Sequence, residues 1–147
     1  NSAKNALSSF YEKWEGNPLL IDKWFSVQAA FTTPSNIFQT IERLSSHPDF
    51  NFKNPNRFRS LISSFAFNNQ KSFHSIDGKG YAIVANWIKK MDEINPQIAA
   101  RLSTSFETMH RIEPKRKLLM KTILKGIRYT NNLSKDTLDI TDRILNT

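Results

Sequence analysis

The sequence predicts an all-α fold: a right-handed α–α superhelix, an armadillo- or HEAT-like solenoid of antiparallel helix pairs. Asn-Pro begins three segments, at Asn17, Asn54 and Asn95, with spacings of 37 and 41 residues. A period of about 40 residues is typical of helical-pair repeats. Apolar residues recur at i, i+3 and i+4 along most of the chain, whereas no segment alternates convincingly like a strand. The alternative to a repeat is that Asn-Pro recurs at this spacing by chance, because Asn-Pro is a common helix start in any all-α protein.

Three helices are predicted in the first 50 residues. Residues 3–15 carry apolar side chains at helical spacing, and Gly16 ends the pattern. Residues 18–30 follow the Asn17 cap, and their apolar residues cover more than half of the circumference, which indicates an inner helix. A third, amphipathic helix begins near Ile37 and ends before Pro48.

The segment after Asn54 is the clearest helix in the sequence. Asn54 can cap it, because the side-chain oxygen accepts hydrogen bonds from the free amides of the first turn. Pro55 then occupies the first helical position, where its missing N–H costs nothing. Arg57 and Arg59 flank the apolar stripe, and we predict that Arg57 forms a structural ion pair. The stripe consists of Phe58, Leu61, Ile62 and Phe65.

The second half of the chain continues the helical pattern. A short piece around Phe73 leads to a turn at 77–80, where glycines allow a tight bend. Helices are predicted over 81–94, from Asn95 to about His110, and from Pro114, with a last one starting near Ser134. In the Pro114 helix, we expect the following residues to face inward: Leu118, Leu119, Ile123, Leu124 and Ile127.

Composition limits the classes of function. There are 21 Lys and Arg against 13 Asp and Glu, a net charge of +8, and the balance can attract nucleic acid or carboxylate-rich protein surfaces. The basic residues between Lys115 and Arg128 lack aromatic interleaving, which favours a solvated outer face over a nucleic-acid site. The chain has no cysteine, which excludes disulfides and thiolate metal sites.

The sequence contains no pattern for catalysis. The histidines, His47, His74 and His110, lie far apart, so no H-E-x-x-H pair can place two metal ligands on one helix face. The glycines of 77–80 lack the spacing of a phosphate-binding loop. We therefore predict no catalytic residue and no metal ligand within this chain.

Five segments carry a more specific pattern: Phe10–Trp14, Asp22–Phe25, Asn54–Ile62, Phe73-His74 with Asp77-Gly78 and Gly80-Tyr81, and Asn95-Pro96-Gln97 with Ala99 and Arg101-Leu102. In this order and over nearly the whole chain, they resemble the C-terminal domain of bacterial aminopeptidase N, of the gluzincin zinc aminopeptidase family. Each segment alone is a weak signal, but five in register are specific. The domain of that family is an armadillo-like α-superhelix, in agreement with the period of the Asn-Pro starts.

The resemblance implies that residues 1–147 are one helical-repeat domain, the C-terminal domain of a longer aminopeptidase that removes N-terminal amino acids from peptides. In that family the zinc and the glutamate base lie in an earlier, thermolysin-like domain. This chain is therefore expected to hold no cofactor, with zinc in the full-length enzyme. The implied partners are the catalytic domain of the same polypeptide and peptide substrates. No nucleic-acid or membrane partner is expected. The protein is expected to be a monomer in the cytoplasm.

The family's C-terminal domain closes over the catalytic domain and controls which peptides reach the active-site chamber. We predict that Arg59 and Arg101 line this chamber-facing surface as substrate-channel residues, because each lies beside the apolar face of its helix and needs acceptors. Arginine offers several donors to peptide carbonyls and carboxylates. Asn17, Asn54 and Asn95 are expected to be structural caps, and Arg57 a structural residue. The alternative for the arginines is an ordinary surface position. The alternative function is a stand-alone helical-repeat module that binds protein or nucleic acid.

Overall fold

The computed structural model describes residues 2–147, and every regular element among them is helical, which confirms the all-α prediction. The helices are α1 (Ser2–Trp14), α2 (Pro18–Phe31), α3 (Ile37–Ser45), α4 (Pro55–Phe58, a π-helical segment Arg59–Ser63, and Ser64–Asn68), α5 (Gln70–Phe73), α6 (Lys79–Asp92), α7 (Pro96–Ser103, continued by a 3-10 segment Thr104–Arg111), α8 (Pro114–Arg128) and α9 (Lys135–Leu145).

The chain packs as two compact units, Asn1–Asn69 and Gln70–Thr147. In the first unit, α2 lies against α1, α3 and α4, so it is the inner helix that its apolar circumference predicted. Apolar burial drives this packing, since each large side chain removed from water contributes roughly 1.5–3 kcal/mol. The fully buried side chains include Phe25, Ile37, Leu44, Phe58, Leu61, Ile62 and Phe65.

The second unit is built from α5 to α9. Consecutive helices α6 and α7 pack together, as do α8 and α9, and alternate helices also meet, α6 with α8 and α7 with α9. This is the arrangement expected of stacked helix pairs, in which each repeat contacts its neighbour. Its fully buried side chains include Phe73, Tyr81, Val84, Ile88, Phe106, Met120, Leu124 and Ile127.

Helix α1 differs from the others because none of its residues is buried. It is held at its surface, where the indole N–H of Trp24 donates to the carbonyl of Leu7 at 2.9 Å and the ring of Tyr11 packs against that of Trp24. An apolar groove of about 320 Å³ remains between α1 and α2. It is lined by Ala6, Leu7, Phe10, Lys23, Trp24 and Val27.

A buried carboxylate links the end of α6 to the start of α9. Asp92 is 6% exposed and accepts hydrogen bonds from the backbone N–H of Ser134 at 2.7 Å, from the Ser134 hydroxyl at 2.6 Å and from the Thr137 hydroxyl at 2.6 Å. Ser134 also caps α9 through its side chain. The two helices are therefore fixed to each other by polar contacts as well as by apolar packing.

Close packing also fixes Gly80 at the start of α6. A Cβ at this position would lie 2.3 Å from the carbonyl oxygen of Phe73, so no side chain fits here unless the backbone moves.

The prediction that Leu118 of α8 faces inward is wrong, because this side chain is 67% exposed. Helix α8 buries only Met120, Leu124 and Ile127, so its buried face is narrower than the sequence suggested.

Candidate functional site

Each of the three Asn-Pro starts begins a helix with the expected cap. The side-chain oxygen of Asn17 accepts a hydrogen bond from the backbone N–H of Leu20 at 3.3 Å. The side-chain oxygen of Asn54 accepts from the backbone N–H groups of Asn56 at 3.1 Å and Arg57 at 3.3 Å. The side-chain oxygen of Asn95 accepts from the backbone N–H of Ile98 at 3.4 Å. Proline follows each cap at the first helical position. These caps fix where α2, α4 and α7 begin, and in α4 and α7 they thereby fix where the arginines that follow are presented.

Arg57 is held from three sides. Its Nε donates to the Asp22 carboxylate at 2.5 Å, its Nη1 donates to the carbonyl of Asp49, and its guanidinium lies 5.5 Å from the centre of the Phe25 ring. The Arg57 and Asp22 side chains are 11% and 20% exposed. This arginine is committed to joining α2, the loop before α4, and α4 itself.

Asp49 extends the same network to α1. Its carboxylate accepts from the Tyr11 hydroxyl at 2.5 Å, and this hydrogen bond, together with burial, raises the pKa of Tyr11 to about 12. The His47 ring packs against the rings of Tyr11, Trp24 and Phe25. Burial lowers the pKa of His47, and Nδ1 accepts from Asp49 N at 3.0 Å, so the imidazole is neutral at pH 7.

Arg59 lies two residues further along α4, at the first position of the π-helical segment Arg59–Ser63. Its side chain is exposed, and Nη1 donates to the side-chain Oδ1 of Asn56 at 3.4 Å. The wider turn leaves the Arg59 carbonyl near the Ser64 hydroxyl, which donates to it at 3.3 Å. Such irregular helix turns occur frequently at functional sites.

Arg101 occupies a nearly matching place on α7, in the second unit, because it lies six residues past its cap and Arg59 lies five past its own. It is exposed, and its backbone carbonyl accepts from the Thr104 hydroxyl at 2.6 Å where α7 continues as a 3-10 segment. Its neighbours Ala100 and Leu102 are buried, so the helix backbone beneath it is fixed. Arg59 and Arg101 thus each present an exposed guanidinium from a capped and well-packed helix, one in each unit.

The histidines have structural surroundings rather than metal-site geometry. Among residues 2–147 no group of three or more His, Cys, Asp and Glu could hold a metal ion. His74 Nδ1 lies 2.6 Å from the Tyr81 hydroxyl and Nε2 lies 3.0 Å from the Gln70 side-chain oxygen. Both ring nitrogens are therefore used within the second unit, and the residues present do not fit a zinc site.

Sequence reasoning did not predict the carboxylate partners. Asp22 was visible as the one acidic residue on a largely apolar helix, and this isolated charge was the available signal. Asp49, Tyr11 and His47 lie in other segments, and no periodicity connects them. Asp92 is buried although the next residue, Glu93, is exposed, and nothing in the sequence indicated the burial of Asp92.

The fold defines a class of protein, an α-helical repeat domain. The chain belongs to the family described as "Domain of unknown function (DUF3458_C) ARM repeats", which matches residues 1–146. Among its relatives are aminopeptidase N of Haemophilus influenzae, 41% identical over 95% of this chain, and aminopeptidase N of Caulobacter vibrioides, 41% identical over 97%. Aminopeptidase N of Escherichia coli is 38% identical over 90%.

A solved structure shows the same similarity in three dimensions. Aminopeptidase A of Legionella pneumophila, in complex with aspartic acid, superposes with a TM-score of 0.92 and 33% identity over 99% of this chain. The chain spans only 16% of the length of the Haemophilus and Caulobacter relatives, 15% of the Escherichia relative and 17% of the Legionella chain. It therefore corresponds to one helical-repeat part of these much longer proteins.

Among the helices of residues 2–147, none combines the length and the apolar character that crossing a bilayer would require.

Proposed function

We propose that this chain is the non-catalytic C-terminal domain of a zinc-dependent aminopeptidase that removes N-terminal amino acids from peptides. The single observation that carries the proposal is the 41% identity to aminopeptidase N over 95% of the chain. Zinc and the catalytic groups would lie elsewhere in the longer polypeptide. The partners of this domain would then be the catalytic domain of the same polypeptide and the peptides that pass it.

We further propose that the domain closes over the active-site chamber and controls access of peptides. Arg59 and Arg101 support this role because both are exposed and neither is committed to an intramolecular ion pair within the described chain. A guanidinium offers fixed charge and several donors, which suit peptide carbonyls or a C-terminal carboxylate. Arg57, in contrast, is occupied by Asp22 and Asp49 and serves the structure.

The test is steady-state kinetics of the full-length polypeptide with di-, tri- and longer peptides. Arg59→Ala and Arg101→Ala should each raise KM by about tenfold to a hundredfold, because a hydrogen bond to a charged group contributes about 1.5–3 kcal/mol and each 1.4 kcal/mol is about tenfold. Zinc content and melting temperature should stay unchanged. Arg111→Ala is the matched control, since Arg111 is also an exposed arginine of the second unit.

Two outcomes would contradict the proposal. If both variants leave the kinetics of all peptide lengths unchanged, the arginines do not contact the substrate path. If the full-length polypeptide hydrolyses no peptide at all and contains no zinc, the domain is instead a binding module in a protein of another class.

A further inference from the structure

The outer face of α8 carries a strip of positive charge that the proposed peptidase role does not use. We define the α8 ridge as five residues with exposed side chains: Lys115, Leu118, Lys121, Lys125 and Tyr129. At about 100° per residue, the five lie within roughly 120° of one another around the helix axis. They form one continuous stripe opposite to the buried residues of α8.

The charge of the ridge is not neutralised within the described chain. Helix α8 contains six basic residues and no acidic one between Pro114 and Arg128. Its two arginines are used internally, Arg116 by Glu113 and the His74 carbonyl, and Arg128 by Asp142. None of the three ridge lysines takes part in an ion pair with any described residue.

Two large hydrophobic side chains lie within this stripe of charge. Leu118, on α8, is 67% exposed, and Tyr129, the residue at which α8 ends, is 75% exposed, with the Arg128 guanidinium 5.3 Å from the centre of its ring. Beside the ridge, Gly126 leaves space into which the Lys89 side chain of α6 reaches, with Nζ 3.9 Å from where a Cβ would stand. The surface therefore combines four lysines with an apolar residue towards each end.

We propose that the α8 ridge docks a separate protein through an acidic helix that also carries apolar residues. A partner helix with carboxylates at i and i+4 matches the spacing of Lys121 and Lys125, while its apolar side chains would cover Leu118 and Tyr129. Because exposed ion pairs are individually weak, the apolar contacts must carry part of the affinity. Binding should therefore weaken with salt but persist at physiological ionic strength.

The same observations make nucleic acid and membrane less suitable occupants. Single-stranded nucleic acid is bound by grooves with several stacking aromatics, whereas the ridge has one tyrosine. A helix that lies on a membrane buries a wide apolar face, whereas this face has only two large apolar side chains. Lysines also supply point charges rather than the bidentate fork that favours phosphate.

The test uses the full-length polypeptide and a fluorescein-labelled 21-residue helical peptide that repeats Glu and Leu on one face, followed by fluorescence anisotropy in 150 mM salt. The triple variant Lys115→Gln, Lys121→Gln, Lys125→Gln should raise Kd by about tenfold or more. The double variant Leu118→Ser, Tyr129→Ser should raise it severalfold. The matched control removes three exposed lysines elsewhere and should leave Kd within about twofold; it consists of Lys53→Gln, Lys71→Gln and Lys79→Gln.

Several outcomes would overturn the proposal. One is an equal loss of affinity in the control, which would mean that only net charge matters. Another is tighter, ridge-dependent binding of oligouridylate or of phosphatidylglycerol vesicles. A third is no peptide binding to the unmodified polypeptide, which would mean that another part of the same polypeptide already covers the ridge. Peptidase kinetics should not change in any ridge variant, so this result is independent of the proposed function.

Discussion

Asp22 and Arg57 show how a single pair of side chains can hold a local structure together. The carboxylate sits on α2, the guanidinium is on α4, and both are largely removed from water. Removing one partner of such a pair leaves the other charge buried and incompletely solvated. The cost therefore comes from the orphaned arginine more than from the lost attraction.

We expect Asp22→Ala to lower the free energy of unfolding by about 2 kcal/mol, measured by urea denaturation. The control is Asp139→Ala, which breaks the exposed pair with Lys135 and should change stability little, because exposed i,i+4 pairs are weak. Equal effects in the two variants would show that the Asp22–Arg57 pair has no special role in the first unit.

His74 gives the second unit a pH dependence. Burial, and to a smaller extent the nearby Arg116, lowers the pKa of His74. The unfolded chain therefore takes up a proton near pH 6.5, before the folded chain does, and stability falls as the pH decreases through the folded-state pKa. The stabilisation is fully present above about pH 6.5.

We expect the urea midpoint to decrease between pH 7 and pH 5, and His74→Gln to reduce the slope of that decrease. Gln can still accept from the Tyr81 hydroxyl but does not titrate. Some slope should remain, because burial lowers the pKa of His47 as well. An unchanged slope in His74→Gln would assign the whole effect to other groups.

At the scale of the helix, local chemistry explains why the sequence predicted so much of the fold. Helix starts are specified by the caps Asn17, Asn54 and Asn95 through contacts within three residues, and contacts this local can be predicted from the sequence. Burial depends on neighbours that are distant in sequence. Hence the exposure of Leu118 and the absence of buried residues in α1 could not be predicted from periodicity alone.

The contacts between helices were the least predictable part. Arg57 could be identified as an ion-pair residue, but its partner Asp22 lies 35 positions earlier. The link between Asp92 and Ser134 spans 42 positions. From the sequence alone, several acidic residues could equally well have been the partner of Arg57 or of Ser134, so only the folded arrangement decides between them.

We expect Asp92→Ala to lower the free energy of unfolding by about 2–4 kcal/mol, because it leaves the Ser134 and Thr137 donors without their acceptor. Hydrogen exchange of the α9 amides should accelerate more than that of the α2 amides. Ser134→Ala should cost less, about 1–2 kcal/mol, because it removes the cap and one of the three hydrogen bonds to Asp92 but leaves the other two. A loss in Asp92→Ala no larger than in Ser134→Ala would contradict the central role of the carboxylate.

At the scale of the whole chain, charge is distributed unequally between the two units. Of the 21 Lys and Arg, 14 lie after residue 69, and six of these are on α8 alone. The second unit therefore has the stronger positive field and the greater capacity to attract acidic surfaces. The exposed candidate contacts Arg59 and Arg101 are instead divided between the units, one in each.

Metal analysis provides a test at the same scale. The chain of residues 1–147, purified and dialysed against a chelator-free buffer, should contain no stoichiometric zinc, because the described residues include no cluster of ligands. The full-length polypeptide should contain zinc and keep it when His110 is replaced by Gln. Stoichiometric zinc in the 147-residue chain would contradict the assignment of the metal to another part of the protein.

The π-helical segment Arg59–Ser63 marks the place where α4 holds one residue more than a regular helix needs. A π turn closes through i→i+5 hydrogen bonds and an α turn through i→i+4 bonds, so the wide turn absorbs one extra residue. Deleting one residue within the segment would convert it to regular α-helix and would leave the fully buried Phe58 before it and Phe65 and Ala66 after it facing the core. A deletion within a regular turn would instead rotate everything after it by about 100°. The wide turn is therefore the one point of α4 at which the loss of a single residue keeps the same core.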